Sequence, residues 1–101
     1  MPKEYREIVF SEEEVAAALT EYARSRAPNA PLIRAENLSI AGEDDAVVTV
    51  RFGYEKREYT APEITAALIR YARSIGLPLP RTSRKAVAGG SGEIRLRLWI
   101  G

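Results

Sequence analysis

The feature that most constrains this chain is that it repeats itself. Residues 10–25 align without gaps on residues 59–74 at an offset of 49. Eight positions are identical: Glu14/Glu63, Ala17/Ala66, Ala18/Ala67, Leu19/Leu68, Tyr22/Tyr71, Ala23/Ala72, Arg24/Arg73 and Ser25/Ser74. Two unrelated amphipathic helices would not share so much, and self-similarity at a fixed period marks a repeated structural unit. With the offset slipping to 47 and then 48, Leu32-Ile33-Arg34 falls on Leu79-Pro80-Arg81, and residues 46–53 fall on residues 94–101. The chain therefore reads as a single domain, 1–101, made of two tandem copies covering about 5–53 and 54–101.

Each copy carries the same local signals. Ser11 with Glu14, and Thr60 with Glu63, have capping-box spacing, with Pro62 acceptable in a first turn. Val15, Ala18, Leu19, Tyr22 and Ala23 recur at helical spacing, as do Ile64, Ala67, Leu68, Tyr71 and Ala72, giving each helix one apolar stripe. The helices are expected to end near residues 26 and 75, the second at Gly76, with Leu77 as its hydrophobic contact.

Two extended segments follow each helix around a polar turn: 37–41 and 46–52 around Gly42-Glu43-Asp44-Asp45, then 85–88 and 93–100 around Gly89-Gly90-Ser91-Gly92. Ile94, Leu96, Leu98 and Ile100 alternate with Arg95, Arg97 and Trp99, the period of a strand with one buried face. Ala46, Val48, Val50 and Phe52 form the matching inward row. A short strand before each helix, 6–10 and 56–59, completes a βαββ unit.

The fold class expected is α+β: an internally duplicated βαββ unit forming a mostly antiparallel sheet, two helices packed on one face, and a pseudo-twofold axis. A ferredoxin-like βαββαβ order is the alternative, since a duplicated βαβ also generates it.

The sequence has no cysteine and no histidine. That removes disulfides, thiol nucleophiles, Cys or His zinc sites and the usual general base near neutral pH, so no enzyme, cofactor or metal is expected. Apolar runs fall short of the roughly 18 residues that span a bilayer, and residues 1–7 lack a signal-peptide core, so a cytoplasmic protein without membrane contact is expected.

Charge divides between the copies. Residues 1–50 hold 5 basic and 10 acidic side chains, net −5, and residues 51–101 hold 10 and 4, net +6. One reading places a nucleic-acid or other polyanion site on the basic half, with Arg51, Arg81, Arg84, Lys85, Arg95 and Arg97 neutralising phosphates and Trp99 stacking on a base. The preferred reading is a non-catalytic interaction module whose partner is another protein or a second copy of the chain, because Trp, Tyr and Arg are the residues enriched at interface hot spots. A third possibility is that the opposite charges pair within one chain, Glu21 with Arg70 for example.

Other features read as structural. Tyr22 and Tyr71 are expected to be core aromatics with hydroxyls at a polar edge. Residues 77–81 read as a stiff linker, and Gly89-Gly90-Ser91-Gly92 as a turn, since no Lys-Ser/Thr pair and helix follow it. The acidic runs 12–14 and 43–45 suit a helix start and a turn.

Overall fold

The computed structural model describes residues 3–80 and 83–100. The element order is β1 (Glu4–Ser11), α1 (Glu12–Arg26), a 3-10 turn (Ala35–Asn37), β2 (Leu38–Ala41), β3 (Val47–Phe52), β4 (Glu55–Tyr59), α2 (Ala61–Ser74), β5 (Arg84–Gly90) and β6 (Glu93–Ile100). This is an α+β fold of two helices and two three-stranded antiparallel sheets, ordered β1-β6-β5 and β2-β3-β4. It is not ferredoxin-like, because three strands separate the helices and two follow the second.

The expectation of a single sheet is corrected. β5 and β2 approach edge to edge only where the 42–46 turn crosses β5, with Gly89 N–H donating to the Gly42 carbonyl at 3.0 Å and Ala46 N–H to the Val87 carbonyl at 3.3 Å. Two bonds through a turn do not extend a ladder, so the sheets stay separate. A Cβ on Gly89 would collide with the Gly42 carbonyl oxygen, so this approach needs glycine.

Each sheet draws strands from both halves of the chain. β1 pairs with β6, Phe10 opposite Ile94, and β4 pairs with β3, Tyr59 opposite Val48. The sequence alignment sets Phe10 on Tyr59 and Ile94 on Ala46, so the second pairing is displaced by two residues from the first. A two-residue slip keeps every side chain on its own face, which is why both sheets still present their apolar rows inward.

Helix boundaries follow from their caps. Ser11 Oγ accepts from Glu14 N–H at 3.2 Å while Ser11 N–H donates to Glu14 Oε1 at 3.1 Å. The second box is half made: Thr60 N–H and the Thr60 hydroxyl both donate to Glu63 Oε1 at 3.1 Å, and no bond runs from a backbone amide to the hydroxyl. α2 ends in a Schellman arrangement, with Gly76 at φ +78° and Leu77 N–H donating to the Ala72 carbonyl at 2.8 Å.

The helices lie side by side and close over one core. Phe10, Val15, Leu19, Val48, Val50 and Tyr59 are buried with Ile64, Leu68, Ile94, Leu96 and Leu98. Tyr22 and Tyr71 are half-buried against that core. Tyr22 packs edge-on against Tyr59, centroids 6.5 Å apart, and Tyr71 edge-on against Phe10 at 6.3 Å. Each helix tyrosine thus meets the aromatic residue that precedes the cap of the other helix. Ser25 and Ser74 hydroxyls likewise donate to the carbonyls of Tyr22 and Tyr71, at 2.6 and 2.7 Å.

Candidate interaction surface

Alternation along β6 sends Ile94, Leu96 and Leu98 into the core and turns Arg95, Arg97 and Trp99 outward. β6 is the central strand, so each outward residue has a neighbour on both sides. Trp99 lies between Tyr5 of β1 and Arg84 of β5, Arg97 between Glu7 and Ala86, and Arg95 between Val9 and Ala88.

The Trp99 row is aromatic and cationic. The Tyr5 and Trp99 rings are 5.5 Å apart and inclined at 49°, and the Arg84 guanidinium lies 4.6 Å from the Trp99 centroid. Such a contact is worth about 0.5–1 kcal/mol at an exposed site. Tyr5 is 50% exposed and Val9, on the same face, 51%.

The two neighbouring rows are charged and internally compensated. Arg95 bonds Glu93 at 2.8 Å and lies 3.4 Å from Glu7; Arg97 lies 3.4 Å from Glu7 and 3.5 Å from Asp44 on the 42–46 turn. The Arg97 Nε contact is one of charge rather than an aligned hydrogen bond, and that buried atom has no hydrogen-bond partner. The Tyr5 hydroxyl donates to Glu7 Oε2 at 2.7 Å. This bond, with the charges of Arg95 and Arg97, holds the Glu7 carboxyl below its ordinary value against partial desolvation, and the same bond pushes the Tyr5 phenol up. Arg95 is held more firmly protonated by Glu93 first and Glu7 second.

Three of these four arginine–carboxylate pairs join the acidic first half to the basic second: Glu7–Arg95, Glu7–Arg97 and Asp44–Arg97. The charge division therefore serves, in part, pairing within one chain. Glu21 and Arg70 line the same open groove between the helices without forming an ion pair.

Of the residues singled out from sequence, the fold brings Arg84, Arg95, Arg97 and Trp99 onto one face. Arg51 belongs to the other sheet, opposite Lys56, with its carbonyl accepting from Asn37 Nδ2 at 3.0 Å. Lys85 projects to the opposite face of β5 from Arg84 and donates to the Ser83 carbonyl at 3.1 Å. Arg81 lies outside the described residues. Sequence reasoning missed Tyr5, Glu7 and Val9, although their spacing of two along β1 is the signal of one strand face.

Among the described residues no three acidic side chains gather as metal ligands, and no helix is long and apolar enough to cross a membrane. Comparison with protein-family models finds no match, and no curated protein or solved structure is significantly similar to the chain.

Proposed function

We infer that the chain is a duplicated, non-catalytic interaction module that binds another protein or a second copy of itself through the outer face of the β1-β6-β5 sheet. The observation that carries this reading is the Tyr5–Trp99–Arg84 row, an exposed tyrosine beside a half-buried tryptophan with an arginine at one end, continued on the same face by Val9. Tyr, Trp and Arg in one patch are the composition of an interface hot spot. The neighbouring Arg95 and Arg97 already face Glu7, Glu93 and Asp44, so the face offers a polar, charge-balanced rim more than a phosphate track.

The duplication rests on the eight helix identities and on the reciprocal pairs Tyr22–Tyr59 and Tyr71–Phe10. The displaced register of β3 and β4 marks where the copies have diverged from an exact twofold relation.

Sedimentation across a concentration and salt series tests self-association, and affinity capture from the native host followed by mass spectrometry tests an outside partner. Tyr5→Ala with Val9→Thr, both half-exposed, should abolish either interaction while leaving the fold intact. A chain that stays monomeric and captures nothing that this double variant loses would overturn the reading. Polyanion binding by the basic half is the second reading, supported by Arg84 on Trp99. Fluorescence anisotropy at low salt with single- and double-stranded DNA and RNA decides it, and no binding eliminates it.

A further inference from the structure

The two copies differ most informatively beside their helices. In the first copy, Thr20 on α1 holds down the chain's own connection: Ile33 N–H donates to Thr20 Oγ1 at 3.0 Å, the hydroxyl donates to the Ala16 carbonyl at 2.8 Å, and Ile33 is 4% exposed. The aligned residues in the second copy are Ile69 and Pro80. Neither can make that bond, since isoleucine has no acceptor and proline no N–H. Ile69 is left half-exposed, lining a groove between α2 and β5.

The groove has two continuous parts that share Ile69 and Lys85. One, of about 700 Å³, is bounded by Arg73, Leu77 and Leu79. The other, of about 470 Å³, is bounded by Ala66, Val87 and Asp45. Its charge is graded, with Arg73 in the first part, Lys85 where the two parts meet and Asp45 in the second. Among the described residues neither cation has a carboxylate partner.

The β5 edge faces this groove. The Val87 carbonyl and Gly89 N–H point away from β6, toward the 42–46 turn. In an antiparallel strand alternate residues direct both backbone groups to the same side, so the Lys85 N–H and carbonyl and the Val87 N–H point outward as well. Among the described residues no hydrogen bond reaches them.

We propose that the α2/β5 groove binds an extended peptide that adds a strand to β5 antiparallel to it, with branched apolar side chains against Ile69 and a carboxylate at its C-terminal end on Arg73 and Lys85. Strand addition supplies backbone hydrogen bonds, and alternate side chains entering an adjoining groove supply selectivity. The first copy shows the kind of segment that fits: Pro31-Leu32-Ile33, with the branched side chain inward. This inference takes from the functional reading only that the domain binds proteins, and it concerns a separate surface.

The test is an amide NMR titration of the intact chain with a pool of acetylated peptides carrying varied Val, Ile and Leu followed by two C-terminal Glu. A matching pool ends in two Lys. Saturable shifts at Lys85, Val87 and Ile69, slowed hydrogen exchange at the Lys85 amide, and binding about tenfold weaker for the lysine pool are expected, two exposed charge pairs being lost. Ala66→Arg, an exposed helix position at the groove wall, should weaken binding at least about tenfold with the thermal transition unchanged. Ile69→Thr, which restores the first-copy residue, is the second groove variant. Tyr5→Ala should bind the peptides normally. No saturable shift, shifts confined to Tyr5 and Trp99, or wild-type binding by both groove variants would overturn the proposal; a loss on Tyr5→Ala alone would overturn it while supporting the sheet surface.

Discussion

At the scale of single residues, the Thr20 hydroxyl is both acceptor for a buried amide and donor to a carbonyl. Thr20→Val keeps the shape and strands the Ile33 N–H, so urea denaturation should show a loss of about 1–3 kcal/mol. Ile69→Thr should cost little, because no buried amide depends on that side chain. Glu7 gives the pH dependence. Its folded carboxyl is held below the ordinary value, so the unfolded chain binds more protons in that range and stability falls as pH drops through the folded value. The contribution is fully present above the ordinary carboxylate range. Thermal melts from neutral to acid pH should show this loss, and Glu7→Gln should flatten the profile. Gly89 is a third such position: Gly89→Ala should destabilise by about 1–3 kcal/mol, as overpacking does, because a methyl group meets the Gly42 carbonyl.

At the scale of elements, the two helix starts share a sequence signature and differ in bonding. Ser11→Ala removes an acceptor used by the Glu14 amide and should cost about 1 kcal/mol. Thr60→Ala removes a hydroxyl that no backbone amide uses and should cost less, a ranking that paired chemical denaturation curves check. The capping signature was legible in the sequence, but which oxygen faces which amide depends on rotamers that spacing does not encode. Strand existence and facing were equally legible, since Ile94, Leu96 and Leu98 alternate with Arg95, Arg97 and Trp99. Partner choice was not. Nothing local to Phe10 says that it will sit opposite Ile94, more than eighty residues away, and the Tyr5–Trp99–Arg84 row exists only through that pairing. Five arginines, Lys85 and Trp99 thus read as one basic patch in the sequence, whereas Arg51 lies in the other sheet and Arg95 and Arg97 meet carboxylates.

At the scale of the whole molecule, the two halves of the chain are not two domains in series. β3 and β4, the end of the first half and the start of the second, form a tight hairpin through Gly53-Tyr54, while β1 crosses to the second half to complete the β1-β6-β5 sheet. Neither half owns a complete sheet, and the core side chains of Val48, Ile64 and Leu96 belong to one cluster. One cooperative unfolding transition is the consequence, since neither half has a separate interior to melt. The ion pairs between Glu7 and Arg95 or Arg97 extend this interdependence to the surface and explain part of the division of charge. The most direct test is fragment complementation. Residues 3–53 and 54–100, prepared separately and followed by amide NMR, should each be unfolded as monomers and should regain the dispersed spectrum of the intact chain when mixed in equal amounts. A dispersed, native-like spectrum from either fragment alone as a monomer would contradict the interleaved core.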